Sequence, residues 1–316
     1  MLTVLISTYN GAKTLPQLLK ALCQLEEPPG GWKLVIVDNG STDHSQEIIR
    51  SYSQQLPLTI LYEPRKGKNV ALNTGLAIIV GDLVVFTDDD VLPQPDWLVQ
   101  MRLAADSNPL FSIFGGAVLP KWEVPPEDWI YNLEWPYKGV TFALVNPAFT
   151  EGPIGSDYVL GGNMAIRADI FKAGYGFDTI IGPDGSKDYP MGSETEFIVR
   201  ISKAGFKLWH CQRAIVYHII RSYQIEREWM LDRAIRFGRG KYRIWAKYSL
   251  GAPIWLRIPK YLTRHALIQT QILISTLRLS AAKRNERDIE KIFKAHWWLN
   301  YYTGKAIESH TIGIKR

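Results

Sequence analysis

The sequence at residues 82–96 is Asp-Leu-Val-Val-Phe-Thr-Asp-Asp-Asp-Val-Leu-Pro-Gln-Pro-Asp, an apolar run that ends in three carboxylates. The β-branched and aromatic run Leu83–Thr87 predicts a buried strand. Prolines follow at once, so this strand is not expected to continue as a central one. Alternate side chains of an extended chain share a face, so Asp88 and Asp90 should point one way and Asp89 the other. Such a pair attracts a cation, whereas a solvated acidic turn is the competing interpretation.

Outward from this stretch, strand and helix patterns alternate along the first half of the chain. A series of this kind implies a mostly parallel sheet with right-handed crossovers, so we predict a doubly wound, Rossmann-like α/β fold. The predicted strands are Leu2–Ser7, Lys33–Val37, Leu58–Tyr62, Leu83–Thr87 and Phe111–Leu119. The predicted helices include Thr14–Leu25, Asn69–Ile79 and Trp97–Ala105.

Polar side chains follow the strands at the edge where such sheets bind ligands. Thr8, Tyr9 and Asn10 come after the first strand, and Asp38 ends the second. A carboxylate there can hydrogen-bond a base or a ribose, although polar loops are usual at these ends. The basic loop Arg65–Asn69 precedes a predicted helix and suits a phosphate, with a solvated surface turn as the alternative.

Two nucleotide-binding motifs are missing from the sequence. No Gly-x-Gly-x-x-Gly follows the first strand and no Gly-x-x-x-x-Gly-Lys-Ser/Thr occurs, which argues against a dinucleotide dehydrogenase and a P-loop NTPase. Cys23 and Cys211 fit neither a metal-ligand spacing nor a disulfide framework. No secretory signal pattern is visible, so a cytoplasmic protein is expected.

The segment 120–158 is rich in Pro, Trp and Gly and has no clear period. Beyond it, a strand is predicted at Tyr158–Arg167, where Gly161 and Gly162 would let the backbone approach a ligand closely. Short strands are predicted at Lys207–His210 and Ala214–Tyr217. The aromatic side chains of the segment are expected mostly to pack in a core, with stacking on sugar rings as the alternative: Trp122, Trp129, Trp135 and Tyr137.

Two further residues have both a structural and a functional interpretation. Glu194 lies in the first turn of a predicted helix, where an acid is often only a partner of the helix dipole. His218 closes a predicted strand. A lone histidine is usually structural, but one that meets two aspartates would be a metal ligand.

The C-terminal third is strongly basic. Residues 221–316 hold 20 Lys and Arg against 7 Asp and Glu, whereas the first 220 residues hold 17 against 24. This asymmetry suggests an anionic surface as partner, and because no nucleic-acid-binding motif is present we expect no nucleic acid. A helix predicted over 223–248 carries a basic face: Arg227, Arg233, Arg236, Arg239, Lys241, Arg243 and Lys247.

Residues 254–279 mix apolar and basic side chains and contain no apolar run of about 18 residues, so no transmembrane helix is predicted. With Trp255 and Tyr261 they fit an amphipathic helix at a membrane surface. We therefore predict peripheral contact with an anionic membrane through residues 223–282. The aromatic residues of the last helix suit a helix–helix core, an interfacial belt or a homodimer contact: Trp297, Trp298, Tyr301 and Tyr302.

Six motifs, taken together and in order, make the chain resemble the family 2 glycosyltransferases with the GT-A fold. The resemblance covers roughly residues 1–220 and implies a catalytic domain there, followed by a basic helical region at 221–316. The motifs are Ser7-Thr8-Tyr9-Asn10, Val37–Asp43, Gly67–Gly75, Asp88-Asp89-Asp90, Gly161–Met164 and Gly192–Phe197 followed by Arg200.

The resemblance also implies site residues. Asp90 and His218 would hold Mg²⁺ or Mn²⁺ on the donor's diphosphate. Glu194 would be the catalytic base, with Glu196 as the alternative, because the family usually has Glu-Asp where this chain has Ser193-Glu194. The residues expected to bind the nucleotide or the donor sugar are Thr8, Tyr9, Asn10, Asp38, Lys68, Asp88, Asp89, Gly161, Gly162 and Asn163.

The function implied is the inverting transfer of a sugar from a nucleoside-diphosphate sugar, expected to be a UDP-sugar. The acceptor would be a hydroxyl of a glycan or lipid-linked molecule in polysaccharide biosynthesis, at the inner face of the cytoplasmic membrane. A nucleotidyltransferase and a non-catalytic subunit that binds sugar nucleotides or glycans are the alternatives. A nucleotidyltransferase typically has a Gly-rich basic signature after the first strand, where this chain has Thr-Tyr-Asn-Gly.

Overall fold

The computed structural model describes residues 1–135, 137–248, 264, 267–272, 274 and 286–314. These residues form two compact units. The first consists of Met1–Lys121, Ala143–Gly185 and Ser193–Ile219; the second consists of Trp122–Phe142, Ser186–Gly192 and the described residues from Ile220 onward. The sequence predicted one boundary, at residue 220. That boundary assigned Trp122–Phe142 and Ser186–Gly192 to the first domain, whereas in the structure they belong to the second unit.

Parallel strands form the centre of the first unit, in the spatial order β3-β2-β1-β4. Their apolar side chains are buried in β1, β2 and β4, as is usual for strands inside a parallel sheet. The register pairs Thr8 with Asp38, so the carboxyl ends of these strands meet at one edge. The predicted α/β fold is confirmed. The four strands are β1 (Leu2–Thr8), β2 (Trp32–Asp38), β3 (Leu58–Tyr62) and β4 (Leu83–Phe86).

Helices connect these strands and pack on the sheet. Helix α3 (Lys68–Leu76) packs very closely on the sheet at Gly75. A Cβ added to this glycine would lie only 3.0 Å from Val37 Cγ2 and would collide with Leu5. Gly75 therefore weakens the helix locally but allows this close packing. The helices of this region are α1 (Leu15–Leu22), α2 (Ser45–Ser51), α3 (Lys68–Leu76) and α4 (Trp97–Ser107).

Antiparallel strands extend the sheet beyond β4, in the order β8-β6-β9-β5, with β7 paired to β9. These strands are β5 (Val91–Pro93), β6 (Ile113–Trp122), β7 (Gly152–Pro153), β8 (Met164–Arg167) and β9 (Leu208–Ile220). The two short strands predicted near the end of this unit are one strand, β9. The strand predicted at Tyr158–Arg167 begins only at Met164, because Ser156–Tyr158 and Gly161–Asn163 form 3₁₀ turns. Helices α7 (Ala168–Lys172) and α8 (Ser193–Lys203) complete the unit.

The second unit is helical. It contains α5 (Asp128–Tyr131), α6 (Tyr137–Phe142), α9 (Arg227–Tyr248) and α10 (Glu286–Ile314). Trp297 and Tyr302 on α10 are buried, and Trp298 Nε1 donates a hydrogen bond of 2.8 Å to Tyr137 Oη. Trp129 packs on the ring of Phe293 with centroids 5.1 Å apart. Of the interpretations offered for the aromatic residues, core packing therefore describes these contacts.

Much of the predicted basic face of α9 is used in contacts inside this unit. Arg239 and Arg243 both pair with the fully buried Glu308, and Arg227 hydrogen-bonds His296. Among the described residues, no helix is both long and apolar enough to cross a membrane. The predicted amphipathic segment 254–279 lies outside the described residues except for 264, 267–272 and 274.

Candidate active site

The three aspartates lie in the turn between β4 and β5, and each meets a different partner. Asp88 Oδ1 accepts a hydrogen bond of 2.6 Å from Lys68 Nζ. Asp89 accepts a short hydrogen bond from the hydroxyl of Thr8. Asp90 Oδ2 lies 3.5 Å from His218 Nε2. Asp89 is thus directed toward β1, away from the partners of its two neighbours.

Lys68 is the first residue of α3 and joins two acidic residues that are far apart in the sequence. Its Nζ lies 2.6 Å from Asp88 Oδ1 and 2.5 Å from Glu194 Oε1. The loop before α3 positions it, since Gly67 has φ 135° and its N–H donates to Asn39 Oδ1. The N–H of Lys68 donates to the carbonyl of Pro183. The N–H groups of Gly67 and Lys68 are therefore already hydrogen-bonded. A phosphate site at the start of this helix, as predicted from the sequence, would need these N–H groups for the phosphate.

Glu194 lies in the first turn of α8 and is held by both carboxylate oxygens. Oε1 pairs with Lys68, and Oε2 accepts a hydrogen bond of 2.6 Å from Ser193 Oγ. A Cβ on Gly161 would lie 2.5 Å from Glu194 Cγ and Cδ, so only glycine leaves room for this side chain. The alternative base, Glu196, is buried and paired with Arg200 at 3.1 Å.

The charges in this cluster shift one another's pKa values. Burial raises the pKa of Glu194, but the charge of Lys68 and hydrogen bonds from Lys68 and Ser193 outweigh it, so the pKa lies below its ordinary value. Burial also raises the pKa of Asp88; Lys68 opposes this, while Glu194 and Asp90 add to it, and the net shift is upward. Two carboxylates, those of Asp88 and Glu194, thus share the single positive charge of Lys68.

An arrangement of this kind fits a divalent cation at Asp90 and His218. Strand pairing of Val91 with His218 fixes these side chains next to each other. Within the described part of the chain, no group of three His, Cys, Asp or Glu side chains could hold a metal ion unaided. A cation here would need oxygens from its ligand as well, which is the donor set that Mg²⁺ prefers with phosphates.

The loops after β1 and β2 are bound to each other. Asn10 Oδ1 accepts a hydrogen bond of 2.8 Å from the N–H of Thr42, and the N–H of Asn10 donates to Ser41 Oγ. Asp38 is buried, and its carboxylate accepts bonds from the N–H of Ser41 and from Gln46 Nε2. Tyr9 is exposed beneath the ammonium of Lys66, 5.4 Å from its ring centroid.

Asn163 was predicted to bind the nucleotide or the donor sugar, but its side chain does not face an open site. It is fully buried, its Nδ2 donates to the carbonyls of Ala117 and Ala214, and its Oδ1 accepts from Trp97 Nε1, each at 2.8 Å. Gly162 remains next to Asp88, since a Cβ there would lie 3.4 Å from Asp88 Oδ2. Any donor contact of this turn would therefore come from its glycine backbone.

Two residues that were not predicted, Asn39 and Glu63, organise the site from one layer further out. Asn39 Nδ2 donates to the carbonyls of Glu63 and Arg65 and so ties β2 to the loop before α3. Glu63 is buried and accepts hydrogen bonds from Arg65 and Thr74. Both residues could have been identified from the sequence. Asn39 lies inside the Val37–Asp43 motif, and Glu63 directly follows a strand whose end lies at the same edge of the sheet.

Comparisons with known proteins agree with this geometry. A family model described as Glycosyl transferase family 2 matches residues 3–172. Glycosyltransferase AglE of Haloferax volcanii is 26% identical over 255 residues, which cover 77% of this chain and 73% of that protein. The glucosyl-dolichyl phosphate glucuronosyltransferase of the same organism is 25% identical over 228 residues, which cover 70% and 68% of the two chains.

Solved structures share the fold. Mannosyltransferase PcManGT from Pyrobaculum calidifontis, in complex with GDP-Man and Mn²⁺, aligns with a TM-score of 0.62 and 20% identity over 98% of this chain and 86% of its own. S. aureus TarS 1–349 in complex with UDP-GlcNAc aligns with a TM-score of 0.54 and 16% identity over 99% and 92%. The GT-A fold is thereby shown, and since the family model covers more than half of the sequence, the chain belongs to glycosyl transferase family 2.

Proposed function

We propose that this glycosyltransferase moves a sugar from a nucleoside-diphosphate sugar, most simply a UDP-sugar, to a hydroxyl of a glycan or lipid-linked acceptor with inversion at the anomeric carbon. The observation that carries the proposal is the meeting of Asp88, Lys68 and Glu194 at the carboxyl edge of the sheet. Sheets of this type bind their ligands at that edge. The loops of Asn10 and Asp38 border the same edge and suit the nucleoside.

The proposed reaction needs a base and a stabilised leaving group. Glu194 would accept the proton of the acceptor hydroxyl as the new C1–O bond forms and the bond from C1 to the phosphate oxygen breaks. Its pKa, held below the ordinary value, keeps Glu194 ionised and ready to accept that proton. A single displacement inverts the anomeric centre. A divalent cation held by Asp90 and His218 would neutralise charge on the departing diphosphate.

A donor screen tests the activity. Purified protein is incubated with UDP-, GDP- and dTDP-sugars and Mg²⁺ or Mn²⁺, and nucleotide release is followed with and without acceptor. Glu194→Gln should lower turnover by roughly two to four orders of magnitude, the usual effect of losing a general base. Near wild-type turnover would place the base elsewhere. A product that retains the nucleotide would instead indicate a nucleotidyltransferase.

The metal role is tested by binding. Calorimetry with UDP and Mn²⁺ should show that Asp90→Asn loses the metal-dependent part of the affinity, while UDP alone binds both proteins equally. Unchanged affinity would contradict the role given to Asp90. The stereochemical outcome is read from the anomeric signals of the product by NMR, where retention would exclude a single displacement.

The acceptor and location are proposed from the relatives. One is named as acting on glucosyl-dolichyl phosphate, and another is named an undecaprenyl-phosphate 4-deoxy-4-formamido-L-arabinose transferase. These names favour a lipid-linked acceptor and peripheral contact of the basic C-terminal region with the cytoplasmic face of a membrane. Flotation with anionic vesicles tests the contact, and its absence at low salt would count against it. A homodimer through α10 remains a prediction that light scattering can check.

A further inference from the structure

Residues 176–183 form a segment of the first unit that lies against helix α3 and is bound to it by two asparagines. Asn69 and Asn73 are four positions apart on α3, so their side chains share one face of the helix. Asn73 Nδ2 donates a hydrogen bond of 2.8 Å to the carbonyl of Phe177, and its Oδ1 accepts one of 2.9 Å from the N–H of the same residue. This pair of bonds fixes the backbone of Phe177 to the helix.

Asn69 is buried and binds the segment through its amide nitrogen alone. Nδ2 donates to the carbonyls of Asp178 and Ile181, at 2.6 and 2.9 Å. Among the residues that the structure describes, none donates a hydrogen bond to its buried Oδ1. A buried oxygen left unpaired lowers stability. The two bonds to the segment therefore account for an amide at this position.

The same segment is anchored to helix α8. The ring of Phe177 packs on that of Phe197 with centroids 4.6 Å apart, and on that of Phe86 in β4 at 5.5 Å. Arg200 Nη2 donates a hydrogen bond of 2.5 Å to the carbonyl of Gly176. The segment thus joins α3 to α8.

The far end of the segment reaches both residues that bind the carboxylate of Glu194. The carbonyl of Pro183 accepts a hydrogen bond of 2.9 Å from the N–H of Lys68. Gly182 has φ 103°, and a Cβ on it would lie 2.7 Å from Ser193 Cβ, so only glycine allows this contact. Lys68 and Ser193 bind one carboxylate oxygen each. The backbone of one donor and the Cβ of the other therefore rest on neighbouring residues of the segment.

We propose that Asn69 and Asn73 are positioning residues for the candidate base, Glu194. They act through the segment 176–183, which holds the two residues that bind the carboxylate of the base. A displacement of about 1 Å at a reacting group can slow a reaction about 100-fold, so a segment that fixes both donors has a direct effect on turnover. This role rests on the proposed function, in which Glu194 accepts the proton of the acceptor hydroxyl.

The kinetic test compares wild type with Asn69→Ala/Asn73→Ala. We expect kcat per folded protein to fall about 100-fold, with the folded fraction measured by circular dichroism. Asn108→Ala is the matched control. Asn108 Nδ2 donates to the carbonyl of Ala104 on α4, so this variant removes an equivalent bond outside the segment and should keep the wild-type kcat. Asn73→Ala alone, with the same direction of change, serves if the double variant does not fold.

Hydrogen exchange at one amide shows whether the segment is in place. The N–H of Lys68 is bonded to the carbonyl of Pro183, so NMR should find that it exchanges faster in Asn69→Ala/Asn73→Ala than in wild type. Faster exchange with a wild-type kcat would overturn the proposal, because the segment would be released without displacing the base. An unchanged exchange rate would overturn it as well, since the asparagines would then not hold the segment.

A third measurement needs no activity. Urea denaturation gives the stability lost in Asn69→Ala, in Ser193→Ala and in the variant with both changes. Because the two residues act through the same segment, the double variant should lose less stability than the sum of the single losses. Additive losses would overturn the proposal whether or not the protein transfers a sugar. Non-additive losses in a protein that releases no nucleotide from any donor would contradict the proposed function alone, and the hold on the carboxylate of Glu194 would stand.

Discussion

Ser193 Oγ donates a hydrogen bond of 2.6 Å to Glu194 Oε2, so a residue directly before the candidate base fixes the orientation of its carboxylate. Lys68 holds the other oxygen. The carboxylate therefore has little freedom to rotate, and its position depends on two donors that come from different helices.

Ser193→Ala should lower kcat roughly tenfold or more with little change in the donor KM, because a hydrogen bond to a charged group is lost while the nucleotide contacts remain. Steady-state kinetics with the donor found in the screen measure this. Ser202→Ala, on the same helix, is the control and should behave like wild type. Equal kcat for Ser193→Ala and wild type would show that Lys68 alone is sufficient to position Glu194.

Gly161→Ala should lower turnover about 100-fold, because the added methyl group would overlap Glu194 Cγ and Cδ and displace the carboxylate. Gly155→Ala is a suitable control, since its Cβ would lie 3.6 Å from Tyr158, an ordinary contact. The thermal stability of both variants is measured as well, so that a loss of turnover is not mistaken for a loss of folded protein. If Gly161→Ala kept its turnover, Glu194 would be able to work from a second position.

Lys68→Met should lower the free energy of unfolding by about 1–3 kcal/mol, because it leaves Asp88 and Glu194 close together without a counter-charge. Urea denaturation gives the value. Lys66→Met removes an exposed neighbouring lysine and should have almost no effect. Adding Glu194→Gln to Lys68→Met should restore part of the stability; a further loss would contradict the repulsion between the two acids.

Glu63 predicts a stability change in acid. Hydrogen bonds from Arg65 and Thr74 lower its pKa from 4.5 to about 2. A carboxyl group with a lowered folded pKa contributes stability above its unfolded value, and this contribution is lost as the pH falls from about 4.5 toward 2. Thermal unfolding at pH 7 and pH 3 should therefore show a smaller pH dependence for Glu63→Gln than for wild type. An identical dependence would mean that Glu63 does not titrate in this range.

The periodic parts of the chain were predictable because their burial follows simple rules. The apolar runs of β1, β2 and β4 identify buried parallel strands, and their ends identify the edge where the candidate site lies. Asp88 and Asp89 have partners in different directions, Lys68 and Thr8, but both aspartates lie in a turn beyond the end of β4, so the alternation of an extended chain does not account for this.

The remaining features depend on contacts between distant residues, which no local pattern encodes. The length of β9 could not be predicted, since its continuity comes from pairing with β5 and β7. The same holds for Asn163: the glycines before it, Gly161 and Gly162, suggest a ligand-binding turn, but three buried partners saturate its side-chain amide. The pairing of Arg239 and Arg243 on the basic face of α9 could not be predicted either, because their partner Glu308 lies 65 or more residues away in the sequence.

Gly75 has a consequence for how mutations in this chain should be interpreted. It lies at the end of α3 that is remote from Lys68, and it sets the distance between that helix and the sheet. A larger residue would overlap the buried side chains of Leu5 and Val37. Where these closely packed side chains cannot move aside, the helix is pushed outward and carries Lys68 away from Asp88 and Glu194. In a saturation-mutagenesis screen for activity, Gly75 should therefore tolerate substitution as poorly as the candidate base Glu194, although it lies at the opposite end of the helix from Lys68.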